Sequence, residues 1–132
     1  MPEEAAGPTI LLIEDDASIR RVATLRLERE GYRVVTALDG NEGLALAKAQ
    51  RPQLILLDLM MPAMDGREVF RRLKTDPATA GIPVILFTVA AESELDELDE
   101  LRGAYHVMKP YEPDELLHKV RQALAGPRPE GA

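Results

Sequence analysis

Along its length the chain switches between two hydrophobic periods. Thr9 to Ile13 is a short, almost unbroken apolar run ending on Glu14, Asp15 and Asp16, which reads as a strand buried on both faces. From Ser18 to Glu30 the apolar positions Ile19, Val22, Ala23, Leu25 and Leu27 recur at near-helical spacing among Arg20, Arg21, Arg26 and Arg29. That spacing predicts a helix, and Gly31 stands where a helix ends. Tyr32 to Ala37, rich in β-branched residues, predicts a second strand, and Asn41 to Gln50 an Ala/Leu helix closed by Arg51-Pro52.

The second half repeats the alternation. Gln53 to Asp58 is apolar from Leu54 to Leu57 and stops at Asp58, after which Pro62 and Asp65-Gly66 force turns. Gly66 to Lys74 carries Val69, Phe70 and Leu73 on one helical face, Asp76-Pro77 to Gly81 is loop, and Ile82 to Phe87 is a strand ending at Thr88. Ser93 to Arg102 predicts a helix opened by the Ser93/Asp96 pair, and Ala104 to Met108 a last strand ending at Lys109-Pro110. Pro113 to Ala125 is a last helix with Leu116, Leu117, Val120 and Leu124 inward, and with Pro113, Asp114 and Glu115 suited to its first turn. Residues 1–8 read as a loose leader, 9–125 as the domain, and 126–132 as a Pro/Gly tail or the start of a linker, with no output domain in the chain.

Strands alternating with helices through short loops predict a three-layer α/β domain with a five-stranded parallel sheet. Right-handed crossovers and helices on both faces leave few orders, and the flavodoxin-like, doubly wound order 2-1-3-4-5 is the expectation among them. In that order Asp15 and Asp16 lie beside Asp58 at one rim, and Thr88 and Lys109 follow along it.

Composition narrows the picture. With 132 residues, 45% hydrophobic and 30% charged, the chain has the size of one domain. It holds no cysteine, which removes disulfide and thiol chemistry and agrees with a cytoplasmic setting. The start lacks the build of a signal peptide, and no apolar stretch approaches the roughly 20 residues of a membrane span. A net charge of −7 argues against a nucleic-acid surface in this chain, so a protein partner is the expectation.

Three carboxylates held together repel, so the rim must retain a proton or take a divalent cation. An all-oxygen donor set without His or Cys suits Mg²⁺, or Mn²⁺ in its place. Lys109 offers a point charge and Thr88 a hydroxyl to phosphoryl oxygens, which leaves Asp58 as the nucleophile for an aspartyl phosphate. Taken singly the residues have blander readings: Asp15 or Asp16 as a helix cap, Thr88 as a strand-end residue.

Glu14-Asp15-Asp16, Asp58 with Met61-Pro62 and Asp65-Gly66, Thr88 and Lys109-Pro110, in this order from Thr9 to Ala125, resemble the receiver domain of bacterial two-component response regulators, a CheY-like fold. The resemblance implies a phosphorylation-dependent signalling switch, not an enzyme, with Asp58 as phosphoacceptor. It implies that Asp16 and Asp58 ligate Mg²⁺ together with the Met60 carbonyl, that Asp15 holds a metal-bound water, and that Thr88 and Lys109 bind phosphoryl oxygens. It further implies a cis Lys109-Pro110 bond, a histidine kinase or histidine phosphotransfer protein as donor, a downstream protein as recipient, and a homodimer formed on phosphorylation.

The chain departs from the family pattern at Val89, where a small residue is usual, and before Lys109, where the segment is one residue short. Counting back from Lys109 places His106 at the rotating aromatic of the switch, whereas Tyr105 is the aromatic by composition; both stand as switch candidates. Met60 and Ala90 occupy the positions that often govern hydrolysis of the phosphoryl group, and neither can orient a water, so slow self-dephosphorylation is expected. The predicted helix ending at Arg102 is acidic through Glu92, Glu94, Asp96, Glu97, Asp99 and Glu100, which should leave it weakly held. Two alternatives share the fold: a pseudo-receiver that binds partners without taking phosphate, and a Mg²⁺-dependent phosphohydrolase, which would want a second Asp where Met60 stands. A dinucleotide site lacks its Gly-rich turn.

Overall fold

The pleat of the two innermost strands decides the architecture. In the computed structural model, which describes residues 7–59, 61, 65–88, 105–108 and 113–125, β1 (Thr9–Ile13) and β3 (Leu54–Asp58) pair in parallel with Ile10 opposite Leu54 and Ile13 opposite Leu57. Side chains alternate across a strand, so an apolar run feeds two cores at once. Leu11, Ile13, Ile55 and Leu57 enter one, with Val69, Phe70 and Leu73 of α3 (Gly66–Thr75) and Ala47 of α2 (Gly40–Gln50). Ile10, Leu12, Leu54 and Leu56 enter the other, with Ala23 and Leu27 of α1 (Ala17–Arg29) and Leu116, Leu117 and Val120 of the C-terminal helix Pro113–Leu124.

With β2 (Arg33–Ala37), β4 (Val84–Thr88) and β5 (Tyr105–Met108) the sheet has five parallel strands in the order β2-β1-β3-β4-β5, the doubly wound topology expected from the sequence. Parallel neighbours need crossovers, and each helix of a β-α-β unit covers one face. Among the described residues no helix is long and apolar enough to cross a membrane.

Several boundaries differ from the sequence reading for local reasons. α1 starts at Ala17 because Asp16 is its N-cap. β4 starts at Val84, not Ile82, because the Ile82 N–H closes a turn on the Thr79 carbonyl and Pro83 has no N–H to give. Of the five apolar positions whose spacing predicted α1, Ala23 and Leu27 are buried and Ile19 packs beside them, while Val22 and Leu25 are 57% and 48% exposed. Gly31, at φ 94°, ends α1 in the left-handed region, as its place in the sequence implies. Arg51 adopts the same region at φ 47° to end α2, its N–H reaching the Ala47 carbonyl. The acidic segment 92–102, the leader up to residue 6 and the tail 126–132 lie outside the described residues.

Candidate functional site: an acidic cluster at the sheet rim

Asp58 is the last residue of β3, paired in register with Phe87 of β4 and only 3% exposed. A charged side chain in so central a place calls for compensation by neighbours or an ion. Beside it the chain brings further acid. One carboxylate oxygen from each of Glu14, Asp15 and Asp58 lies within 4.8 Å of the other two.

Glu14 is the member that sequence reasoning missed. Although β1 closes at Ile13, the Glu14 N–H still donates to the Ala37 carbonyl at 3.1 Å, so the ladder with β2 runs one residue further. Glu14 therefore continues the series Ile10, Leu12, as Asp58 continues Leu54, Leu56, and the pleat sends both to the same face. Its side chain is fully buried, and Oε2 accepts the Asp16 N–H at 3.0 Å. The signal was in the sequence as strand parity carried one residue past the apolar run.

Asp16, expected as a metal ligand, is corrected by the same geometry. Its Oδ1 accepts the Ile19 N–H at 2.9 Å, capping α1, and it is not among the three grouped carboxylates. The pair that joins Asp58 is thus Glu14 and Asp15, one residue earlier than Asp15 and Asp16. Asp15 is exposed, so the cluster opens to solvent on its side.

α3 meets the Asp58 end of β3 through backbone. Asp65 caps α3, its Oδ1 accepting the Arg67 N–H at 2.9 Å, and Arg67 adds Nε and Nη2 bonds at 3.1 and 2.8 Å. Those Arg67 hydrogen bonds hold the Asp65 carboxyl below its ordinary range. Gly66 donates its N–H to the Leu59 carbonyl at 3.1 Å, and a Cβ there would sit 2.4 Å from Leu59 Cα and 2.7 Å from the Asp58 carbonyl oxygen. Asp65-Gly66 is turn chemistry, and it also seats α3 directly on the peptide that carries Asp58.

Of the other expected site residues, Thr88 closes β4 with its backbone in register with Met108, while Tyr105 and His106 pair in β5 with Ile85 and Leu86. Met60, Val89, Ala90 and Lys109 lie outside the described residues.

Chemically, the cluster is three hard oxygen donors, two of them on buried residues, with no nitrogen or sulfur ligand among them. Such a set fits a hard divalent cation that keeps part of its water shell.

The family described as response regulator receiver domain matches residues 10–121. Among sequence relatives, the chain is 39% identical over 122 residues to the DNA-binding dual master transcriptional regulator RpaA of Synechocystis sp., covering 89% of this chain and 49% of that protein. It is 42% identical over 119 residues to the transcriptional regulatory protein AfsQ1 of Streptomyces coelicolor, covering 89% of this chain and 51% of that protein. The chain thus spans about half the length of the regulators it matches. Among solved structures, chemotaxis protein CheY4 of Vibrio cholerae superposes with a TM-score of 0.82 at 28% identity, covering 89% of this chain and 99% of that one. The receiver domain of sensor histidine kinase PA1611 from Pseudomonas aeruginosa, which holds a magnesium ion in its active site cleft, does so with a TM-score of 0.82 at 28% identity, covering 91% and 99%. With the rim acids on this topology and the family matched over nearly the whole described fold, the chain belongs to the response regulator receiver domains.

Proposed function

We propose that this receiver domain is a phosphorylation-dependent switch of a two-component system and that Asp58 accepts the phosphoryl group. The observation that carries the reading is the buried Asp58 at the end of β3 with the Glu14 and Asp15 carboxylates beside it. Glu14, Asp15 and Asp58 would hold the divalent cation, Mg²⁺ in this reading, with the Met60 carbonyl as a further donor. When bound, that cation neutralises the clustered carboxylates and the charge on the incoming phosphoryl oxygens.

The protein's own groups do the rest. A carboxylate oxygen of Asp58 attacks the phosphorus of a phosphohistidine on a histidine kinase or phosphotransfer protein. The new P–O bond forms as the P–N bond breaks, and the departing imidazole keeps the electron pair and takes up a proton. Burial of Asp58 and its fixed backbone keep the nucleophile aligned, which is most of what phosphoryl transfer asks of a protein. Thr88 and Lys109 contact the phosphoryl oxygens, and Tyr105 or His106 reports the change to a downstream partner. The domain is a stoichiometric acceptor with slow self-dephosphorylation and works in a cytoplasmic setting.

The test is incubation with Mg²⁺ and a small acyl phosphate, followed by a search for a hydroxylamine-labile adduct that is lost in Asp58→Ala. Absence of the adduct would favour a pure interaction module. Continuous release of phosphate would favour a phosphohydrolase.

A further inference from the structure

One residue of α1 anchors three successive carbonyls behind the acidic cluster. Arg20 Nη1 donates to the Glu14 carbonyl at 3.0 Å and to the Asp15 carbonyl at 3.3 Å, and the Arg20 backbone N–H donates to the Asp16 carbonyl at 2.9 Å. On the strand side the Glu14 N–H is tied to Ala37, and the Asp16 N–H is tied to the Glu14 carboxylate. Fixing both faces of consecutive peptide planes leaves the Glu14 and Asp15 side chains little freedom in where their Cα–Cβ bonds aim. The guanidinium also sets a positive charge against the loop that carries two of the three clustered carboxylates.

We propose that Arg20 is a positioning residue for the phosphoryl site: it touches no reacting atom, and it holds the Glu14-Asp15 loop so that both carboxylates converge on Asp58. This rests on the phosphoacceptor reading above. Its neighbour Arg21 is exposed on the same helix and provides a matched control. Arg20→Ala leaves α1 intact as a helix, because alanine is the best helix former.

The experiment titrates Mn²⁺ into the parent, Arg20→Ala, Arg20→Lys and Arg21→Ala by calorimetry and measures acyl-phosphate labelling at low and saturating cation. Outer groups that orient ligands typically carry about 10-fold or more in cation affinity. Arg20→Ala should therefore bind Mn²⁺ about 10-fold more weakly, and its labelling deficit should shrink at saturating cation. Arg20→Lys, which keeps a charged donor, should recover most of the affinity, and Arg21→Ala should match the parent. Should Arg20→Ala fail to fold, Arg20→Gln carries the comparison with the same expected loss. Equal Mn²⁺ affinity in parent and Arg20 variants, or an equal loss in Arg21→Ala, overturns the proposal. A parent that binds Mn²⁺ but takes no label defeats the phosphoacceptor reading instead, and the titration alone then decides the role of Arg20.

Discussion

Replacing Gly66 by alanine places one methyl group against the backbone that carries Asp58. The added carbon would lie 2.4 Å from Leu59 Cα, 2.7 Å from the Asp58 carbonyl oxygen and 2.8 Å from the Leu59 carbonyl carbon. Carbon atoms rest about 3.5–4.0 Å apart, so α3 or the end of β3 must retreat by roughly 1 Å. Neither can yield by turning a side chain, because the three nearest atoms are all backbone and Leu59 is 5% exposed. Overpacking of this kind costs about 1–3 kcal/mol, offset by about 0.4–1 kcal/mol from the lower entropy of the unfolded alanine chain. A clash with backbone takes the upper part of the overpacking range, about 2–3 kcal/mol, which leaves a net loss of about 1–2 kcal/mol. At roughly 2.1 cal/mol/K of unfolding entropy per residue, a chain of 132 residues should lose roughly 4–7 °C in Tm. Labelling should suffer beyond that, since a displacement near 1 Å of a reacting group costs up to about 100-fold in rate. Gly43→Ala is the control: its Cβ would meet the Ile13 side chain at 2.5 Å, away from the Asp58 peptide. Differential scanning calorimetry and initial acyl-phosphate labelling rates measure the two effects. If Gly66→Ala melts within about 1 °C of the parent, or labels no more slowly than Gly43→Ala, the close seating of α3 on Asp58-Leu59 is refuted.

Three further outcomes follow from the same geometry. Asp16→Ala should lose about 1 kcal/mol through its cap and keep its thermal response to Mg²⁺, whereas Glu14→Gln should lose that response; melting curves with and without cation tell them apart. Arg51→Gly should raise stability by up to about 1 kcal/mol in urea titration, because a non-glycine residue at φ 47° is strained. Asp65 has its carboxyl lowered below 3.8 in the fold, so its contribution is present above that value and lost as pH falls through the lowered one; the half-exposed pair makes it small. The urea midpoints of the parent and Asp65→Asn should accordingly differ at neutral pH and converge as the pH falls from about 3.8 through the lowered value.

What the sequence made legible was what repeats. Apolar runs from Thr9 and Leu54 announced strands buried on both faces, and the alternation with helical spacing narrowed the sheet to a few orders, of which the resemblance to receiver domains implied the one that the structure shows. Inward residues of α3 and of the C-terminal helix were readable because their stripes are narrow and their other faces charged. α1 was harder: Val22 and Leu25 are apolar but lie off the covered stripe, and apolar identity alone does not tell which side a neighbouring element takes. The acid pair was displaced by one residue for a physical reason. Two adjacent aspartates are equally good ligands and caps on paper, and only the extra rung between Glu14 and Ala37 turns Glu14 inward and leaves Asp16 for α1.

The pleat that divides the apolar residues between two cores has a consequence for how the molecule comes apart. Ile10 and Leu11, or Leu56 and Leu57, are neighbours in sequence yet belong to different cores. Neither core can melt while its strands stay in place to serve the other, so the sheet binds two hydrophobic interiors into one cooperative unit. Amide protons of β1 and β3 should exchange only through global opening, while frayed ends exchange sooner. Asp58, as the terminal residue of β3, then sits where a strand shared by both cores meets the acidic rim.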